Sequence, residues 1–333
     1  MLELNPMSGD RVRLPAETAP LLFVIVDTEE EFDWNAPFSR ANTSVRAIRR
    51  IGRLQDVLAA RGVVPTYVVD FPIASQADGF RPLKDLADAG AARIGAHLHP
   101  WVTPPFEEEV NGPNSFGCAL EPALERAKIQ VLKTQIGDSF ARSPAVYKAG
   151  RYGFGPATAA SLESLGFAID VSVNPRMNYL SLGGPSFDGF DTTPFRFGEE
   201  RRLLEIPCTT DYAGAAGPLA PGLHRFVSHP ALQRLRLTGI MSKLHVVNKI
   251  MLSPEGSTLD EMKALSRSLF RRGVRTFSLT MHSPSVEPGC TPYVRNTTDL
   301  GQFLGRVAGY CDFFLGELGG TASTPEDFLE RCS

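Results

Sequence analysis

The sequence predicts an α/β fold, a distorted (β/α) barrel of about seven parallel strands formed by a single domain. Apolar, strand-like runs alternate with helical patterns along most of the chain, as expected for a parallel sheet with covering helices. The length of 333 residues lies within the range of one α/β barrel. Polar residues follow several of the predicted strands, at the ends where barrel active sites are built.

The individual elements follow from apolar spacing and from glycine and proline at their ends. β-Branched and apolar runs predict strands at 21–26, 63–69, 92–98, 145–149, 167–173, 203–208 and 276–282. Apolar residues at helical spacing predict helices at about 43–61, 80–90, 119–138, 156–166, 229–250, 258–272 and 297–317. Glycine closes the helices that end near 62, 90 and 166, and proline opens the helix at 156. A segment rich in Gly, Pro, Asn and Asp, 174–202, is predicted to form a long loop at the rim of the barrel.

Composition limits the classes of function and the compartment. A formal net charge of −3 argues against a general nucleic-acid-binding protein, so no nucleic-acid partner is expected. The five cysteines are scattered and form no CxxC pair, which indicates reduced thiols. The sequence shows no secretory signal and no apolar stretch approaching the roughly 18 residues of a membrane span. We therefore expect a cytoplasmic protein.

Two short segments carry pairs of metal-binding side chains. Asp27 and Glu29 follow the apolar run LLFVIV, and His97 and His99 follow AARIGA. On a β-strand, residues two apart point to the same face, so the members of each pair converge. Carboxylates and imidazoles together suit Zn²⁺ or a similar divalent ion. With one carboxylate as a ligand and another as a general base, the set predicts a metal-dependent hydrolase.

Three further polar residues lie at or just beyond predicted strand ends. His282, in LTMHSPSVEPG, is a candidate general acid because histidine titrates nearest to neutral pH. Arg151, in KAGRYGFG, and Asp170, in AIDVSVNP, are typical of functional sites and of structural ion pairs alike. Their positions in the sequence do not decide between a functional role and a structural one.

A basic segment interrupts the strand–helix alternation. Residues 213–254 contain no Asp or Glu but five Lys and Arg residues, with apolar residues at roughly helical spacing. We interpret the segment as a basic helical insertion that packs on the barrel. The alternative is an amphipathic surface that contacts an anionic membrane or binds a phosphate-linked lipid.

These segments, in this order, resemble the five motifs of the polysaccharide deacetylase family (carbohydrate esterase family 4), from about residue 20 to about residue 290. The resemblance implies a distorted β/α barrel in which VDTEEEFDW supplies Asp27 as the base and Glu29 as a metal ligand. It implies that IGAHLHPW supplies the ligands His97 and His99. It further implies that Arg151 orients the base, that Asp170 tunes the acid, and that the acid is His282.

The match departs from the family pattern in two motifs. The first motif usually has two adjacent aspartates, whereas Thr28 follows Asp27, and the choice between Glu29 and Glu30 as the acidic ligand stays open. The second motif usually spaces its histidines four apart, whereas here they are two apart and Trp101 follows.

The resemblance implies a Zn²⁺-dependent (or other divalent-metal-dependent) hydrolase that removes an N-acyl group from an amino sugar. A cytoplasmic location favours a soluble or lipid-linked precursor of a surface polysaccharide as the substrate. Two alternatives stay open: a catalytically silent carbohydrate-binding protein on the same barrel, and a metal hydrolase of the amidohydrolase type. The latter also has His-x-His at a strand end, but on its first strand rather than the third.

Overall fold

One curved sheet of nine strands organises the computed structural model, which describes residues 10–213 and 248–332. The strands of the described residues are β1 (Leu21–Thr28), β2 (Thr66–Val69), β3 (Arg93–Leu98), β4 (Val146–Ala149), β5 (Ile169–Asp170), β6 (Phe195–Phe197), β7 (Leu203–Glu205), β8 (Thr210–Ala213), β9 (Asn248–Met251), β10 (Thr276–His282) and β11 (Thr321–Ala322). The order in the sheet is β10-β1-β2-β3-β4-β5-β7-β6, with β11 beside β1. Neighbouring strands from β10 to β7 are parallel, and β6 joins the edge in the antiparallel direction.

Seven helices of the described residues cover one face of the sheet, as the alternation of patterns predicts, and an eighth packs Phe328 against Phe23 on the other face. They are α1 (Gly52–Ala59), α2 (Phe71–Ser75), α3 (Ala77–Asp88), α4 (Pro122–Phe140), α5 (Pro156–Ser164), α6 (Leu259–Arg271), α7 (Thr297–Asp312) and α8 (Pro325–Arg331). Their starts follow ordinary capping chemistry. The Thr258 hydroxyl, for example, accepts a hydrogen bond from the Glu261 backbone N–H, and the Glu261 carboxylate accepts one from the Thr258 N–H.

The alternation of side chains along β1 separates two cores. Leu22, Val24 and Val26 pack in the large core with helix residues, whereas Leu21, Phe23 and Ile25 belong to a smaller core with residues of β2, β4, β5 and β7. The second set lies inside the barrel because every other side chain of a strand points to the same face. Asp27 continues this inner set at the carboxyl end of β1, which is why its side chain lies at the mouth of the barrel.

The predicted distorted barrel of about seven parallel strands is confirmed, and the distortion lies between β7 and β10. No ladder of backbone pairing joins these two strands in the described part of the chain. The Ser278 N–H instead donates to the Thr209 hydroxyl at 2.8 Å, and the Ser278 hydroxyl donates to the Pro207 carbonyl at 3.1 Å. The Thr280 N–H donates to the Leu252 carbonyl at 3.1 Å. Irregular hydrogen bonds therefore close the wall where a strand pair would be expected.

Two predicted elements differ from the structure. The strand predicted at 167–173 is limited to β5, because the Ser172 hydroxyl accepts the Ala149 N–H and replaces a backbone ladder bond there. The helix predicted at 229–250 is wrong at its end, where β9 pairs with β8 in an antiparallel hairpin. The rest of that predicted helix, and most of the predicted basic insertion, lies in residues 214–247, outside the described residues.

Two other features bear on the sequence expectations. Cys118, Cys208, Cys290, Cys311 and Cys332 are all free thiols. Within residues 10–213 and 248–332, every helix falls short of the length and apolarity that a membrane crossing would require.

Candidate active site

Four inner-facing side chains from four strands meet at the carboxyl end of the barrel. Asp27 on β1 pairs in register with His282 on β10, and His97 on β3 pairs in register with Lys148 on β4. Each of the four follows the inward parity of its strand, since the alternate residues Val26, Ala96, Tyr147 and Met281 pack in the helix-side core. The strand register thus brings together residues that are far apart in the sequence.

Glu29, His97 and His99 form a buried set of potential metal ligands. The Glu29 Oε2 atom lies 3.6 Å from His97 Nε2 and 3.4 Å from His99 Nε2. Three ligands held about 2.1 Å from a tetrahedral zinc ion lie roughly 3.4 Å apart. The second carboxylate oxygen, Glu29 Oε1, is buried and has no hydrogen-bond partner. Such an orphaned atom beside two imidazole nitrogens fits a metal ligand, and the donor set fits Zn²⁺.

The outer nitrogens of both imidazoles are held by the protein. His97 Nδ1 lies 3.1 Å from the Lys148 carbonyl oxygen, so it carries a proton and donates to it. His99 Nδ1 lies 2.7 Å from Glu30 Oε2, and the Trp101 indole N–H donates to Glu30 Oε1 at 2.8 Å. These contacts leave Nε2 of each histidine free to bind a metal, as in carboxylate–histidine–metal arrangements. Glu29 therefore belongs to the set of potential metal ligands, whereas Glu30 lies behind His99, on the side of the ring away from that set.

Glu30 belongs to a buried carboxyl pair. Its backbone N–H donates to Asp70 Oδ2 at 2.7 Å, and the other oxygen of Asp70 accepts the Ile73 N–H at the start of α2. Burial raises the pKa of Glu30 to about 8 and raises the pKa of Asp70 well above its ordinary value. This pair anchors the loop after β1 against α2, behind the imidazole of His99.

Asp27, the predicted base, is held by Lys148 rather than by Arg151. The Lys148 ammonium donates to both carboxylate oxygens of Asp27, at 2.6 and 2.7 Å, and both side chains are buried. Burial by itself would raise the pKa of Asp27, but the charges of Lys148, His97 and His282 lower it below its ordinary value. Asp27 is therefore a carboxylate at neutral pH, as a general base must be.

His282, the predicted acid, is held by Glu255 rather than by Asp170. Its Nδ1 atom lies 2.7 Å from Glu255 Oε2, and its backbone N–H donates to Glu255 Oε1 at 3.1 Å. Burial acts to lower the pKa of His282, but the Glu255 and Glu29 carboxylates raise it to about 10. Its Nε2 atom faces Asp27 Oδ2 across 3.9 Å, on the side of the metal-ligand set.

The structure thus corrects the predicted contacts of Arg151 and Asp170. Arg151 follows β4 in a short turn with left-handed backbone (φ 53°), and its guanidinium donates to the Gly112 carbonyl and the Ser115 hydroxyl. Asp170 faces the helix side of the sheet, because Ile169 before it points inward. The Asp170 carboxylate accepts hydrogen bonds from the Ser172 backbone and hydroxyl, at 3.1 and 2.6 Å.

Lys148 and Glu255 make the contacts to Asp27 and His282 that were predicted for Arg151 and Asp170. The sequence indicated one of these two residues. Lys148 is a charged residue inside the predicted strand 145–149, and its parity points it into the barrel. Glu255 lies in an irregular segment between β9 and α6, where no periodic pattern indicates the direction of a side chain.

A pocket of about 380 Å³ opens in front of these residues. Its floor contains Asp27, Glu29, His97, His99, Lys148 and His282. Its walls are largely aromatic or apolar and include Phe32, Trp34, Phe38, Trp101, Phe116, Tyr152, Tyr179, Met177, Met251 and Tyr293. The Trp34 ring meets the His282 ring edge-on at 5.0 Å, and the Trp101 ring stacks on His99 at 4.3 Å. A small cluster of polar groups in an apolar cleft is typical of a ligand-binding site.

Comparison of the fold with solved structures identifies similar proteins. A candidate polysaccharide deacetylase from Mycobacterium smegmatis has a TM-score of 0.55 and 15% sequence identity, over 99% of this chain and 95% of that chain. A family 4 carbohydrate esterase from Streptomyces lividans in complex with acetate has a TM-score of 0.43 and 10% identity, over 92% and 91% of the two chains. A CE4 family pseudoenzyme from Bacillus anthracis has a TM-score of 0.46 and 8% identity, over 93% and 66%.

No protein-family model and no curated protein sequence matches the chain. The likeness is one of fold, carried by the Mycobacterium smegmatis structure over nearly the full length of both chains. This chain shares the fold of the candidate polysaccharide deacetylase from Mycobacterium smegmatis.

Proposed function

We propose that this protein is a metal-dependent hydrolase that removes an N-acyl group, in the first instance N-acetyl, from an amino sugar. The observation that carries the proposal is a base and an acid beside a set of metal ligands. Asp27 Oδ2 lies 3.9 Å from His282 Nε2, and Glu29, two residues after Asp27, joins His97 and His99. Hydrolysis of an amide needs a base for the attacking water and an acid for the departing nitrogen.

The ligand set proposed for the metal is Glu29, His97 and His99. Bound there, Zn²⁺ would supply Lewis-acid polarisation of the acyl carbonyl and a more acidic water. The remaining steps are proposed for side chains of the chain itself. Asp27 takes a proton from the attacking water, and Lys148 keeps its carboxylate ionised and fixed.

The protonated His282 imidazole is proposed to deliver a proton from Nε2 to the amine as the carbon–nitrogen bond breaks. Glu255 fixes the ring through Nδ1 and favours the charged form. The aromatic walls of the pocket suit the apolar face of a sugar ring and a short acyl group. The fold shared with a candidate polysaccharide deacetylase supports a glycan as the source of the amino sugar.

A lipid-linked precursor of a polysaccharide is the more specific substrate that we propose. The basic composition of 213–254 favours a phosphate-linked lipid and, with it, a cytoplasmic protein that contacts the anionic inner face of a membrane. Sedimentation of the full chain with vesicles of anionic and of neutral lipid tests this proposal. Equal recovery with both vesicle types would contradict it.

Metal content and acetate release together test the activity. The measurements are elemental analysis of the purified protein and acetate release from N-acetylated chitooligosaccharides, in wild type and in a His97→Ala/His99→Ala double variant. We expect about one equivalent of zinc in the wild type and none in the double variant, with loss of acetate release. Asp27→Asn is the matched control, because it should keep the metal and lose the hydrolysis.

A wild type that contains no metal and takes up neither zinc, cobalt nor nickel would overturn the hydrolase. Sugar binding that survives Asp27→Asn and a chelator, without turnover of any substrate, would instead favour a silent carbohydrate-binding protein.

A further inference from the structure

Arg151 carries a charge that no acidic residue of the described chain balances. Its Nη1 atom donates to the Gly112 carbonyl and to the Ser115 hydroxyl, both uncharged acceptors. The Nε and Nη2 groups donate to no protein acceptor within residues 10–213 and 248–332. An arginine stays ionised at all ordinary pH values and presents its donors in a planar fork, so part of that fork is available to a ligand.

Aromatic rings fix the position of this guanidinium at the pocket wall. The Arg151 Cζ atom lies 4.1 Å from the centre of the Phe116 ring and 5.1 Å from that of Phe38. Both rings line the same pocket as the metal-ligand set. Contact with aromatic faces holds the cation in one orientation without neutralising it.

The backbone under Arg151 is held in a costly conformation. Arg151 and Tyr152 are two consecutive non-glycine residues in the left-handed region, with φ of 53° and 60°. Such residues cost energy and persist where the surrounding structure imposes them, frequently at ligand sites. This turn directs the Arg151 side chain to the pocket wall, three residues after Lys148 has pointed into the barrel.

The charged groups at the floor of the pocket have partners other than Arg151. The Asp27 carboxylate pairs with Lys148, and the His282 ring pairs with Glu255. Glu29 lies beside His97 and His99. The Arg151 guanidinium contacts Phe38, the Phe38 ring contacts Trp101 at 4.5 Å, and Trp101 in turn stacks on the proposed ligand His99. An anion on Arg151 would therefore lie away from the reacting acyl group, elsewhere on the same sugar or on its neighbour.

We propose that the substrate of this site carries an anionic group, a carboxylate or a phosphate, that pairs with the free edge of Arg151. The inference rests on the proposed function and narrows its substrate to acidic amino-sugar compounds. Carboxylate and phosphate share the oxygen geometry that a guanidinium fork recognises. The experiment below distinguishes the two.

Binding of three sugars without an acyl group tests the proposal by calorimetry on zinc-loaded protein. The probes are glucose 1-phosphate, glucuronic acid and the neutral methyl glucoside. We expect at least one anionic probe to bind about tenfold or more tightly than the neutral one, the gain of a charged hydrogen-bonded pair. In Arg151→Gln the ratio of anionic to neutral affinity should fall towards one. In Arg151→Lys this ratio should fall less, because the charge stays while the planar fork of donors is lost.

The control variant is Arg49→Gln, which removes the same charge from a surface pair with Asp78. It should keep the wild-type ratio, and melting temperatures confirm that each variant is folded. Attraction of an anion to the metal is common to all variants and cancels in the comparison. Equal binding of anionic and neutral probes by wild type, or an unchanged ratio in Arg151→Gln, would overturn the inference.

Acetate release measured in parallel separates this inference from the activity. Acetate release from N-acetylated substrates, without any preference for anionic probes, would contradict the anion site and leave the proposed hydrolase activity intact. A preference for anionic probes that depends on Arg151, with no acetate release from any acylated sugar, would support the anion site and contradict the proposed hydrolase activity.

Discussion

Lys148 contacts the proposed base Asp27 through its side chain and the metal-ligand candidate His97 through its backbone. Its ammonium donates to both oxygens of the Asp27 carboxylate, at 2.6 and 2.7 Å. Its carbonyl oxygen accepts the Nδ1–H of His97 at 3.1 Å. One residue of β4 therefore positions two different parts of the site, and only one of these contacts depends on the type of side chain.

Replacement of Lys148 by Met separates the two contacts. The buried Asp27 loses its counter-charge, so its pKa rises, and the acid limb of the kcat/KM profile should move to higher pH because the base must be ionised. The loss of one partner of a buried pair should also cost about 3 to 5 kcal/mol of stability. Urea unfolding and a pH–rate profile measure the two effects.

The control is Lys148→Arg, which keeps a cation in the same place. Zinc affinity should stay near that of the wild type in both variants, because His97 uses a backbone carbonyl. An acid limb at the same pH in wild type and Lys148→Met would show that the lysine does not set the ionisation of the base.

Side-chain parity explains what could be predicted from the sequence. Asp27 with Glu29 and His97 with His99 are recognisable because residues two apart on a strand share a face, and the apolar runs before them indicate the strands. The seven parallel strands follow from the same runs. The helix ends follow from glycine and proline.

Strand register and irregular segments explain what could not be predicted. His97 lies opposite Lys148 only through the β3–β4 register, which a single sequence does not show. Asp170 falls one residue out of phase with the inward face of β5 and so points away from the site. Glu255 reaches His282 from an irregular segment, where side-chain direction depends on tertiary contacts.

Glu255→Gln should move the alkaline limb of the activity profile to lower pH. As the proposed acid, His282 must be protonated, so activity should be lost as pH rises through its pKa, and the Glu255 charge raises that pKa. Removal of a charge at 2.7 Å should lower the pKa by roughly 1 to 3 units. Kinetic profiles and NMR titration of the His282 ring check the shift.

Ser285→Ala is the matched control for this change. It removes only a hydroxyl that donates to Glu255 Oε1 and keeps the carboxylate charge, so its profile should stay close to that of the wild type. Equal displacement of the alkaline limb in both variants would contradict an electrostatic role of Glu255.

Glu30→Gln should weaken zinc binding by roughly 10- to 100-fold. With a metal on Nε2 of His99, Nδ1 carries the proton, and the two oxygens of Glu30 then accept two donors, the His99 Nδ1–H and the Trp101 indole N–H. A glutamine has one acceptor oxygen, so its amide NH₂ group must face one of these donors. Competition with a chromophoric chelator gives the zinc affinity.

The control variant is Trp101→Phe. It removes one donor and leaves Glu30 intact, so it should change the zinc affinity less. A loss as large as that of Glu30→Gln would mean that the stacked indole, not the carboxylate, orients His99.

Gly150→Ala should disturb the site through close packing alone. A Cβ atom at Gly150 would overlap the Leu98 carbonyl oxygen and would lie 2.5 Å from Cδ2 of the His99 ring, closer than real Cβ atoms essentially ever come to another heavy atom. Neither neighbour can move freely, because Leu98 belongs to β3 and the His99 ring is held by Glu30. We expect a loss of about 1 to 3 kcal/mol in the free energy of unfolding, together with weaker zinc binding. The control is Gly137→Ala inside α4, where the added methyl has open space and should stabilise by about 0.5 to 1 kcal/mol. Unchanged zinc affinity in a folded Gly150→Ala protein would show that the position of the His99 ring does not depend on this close approach.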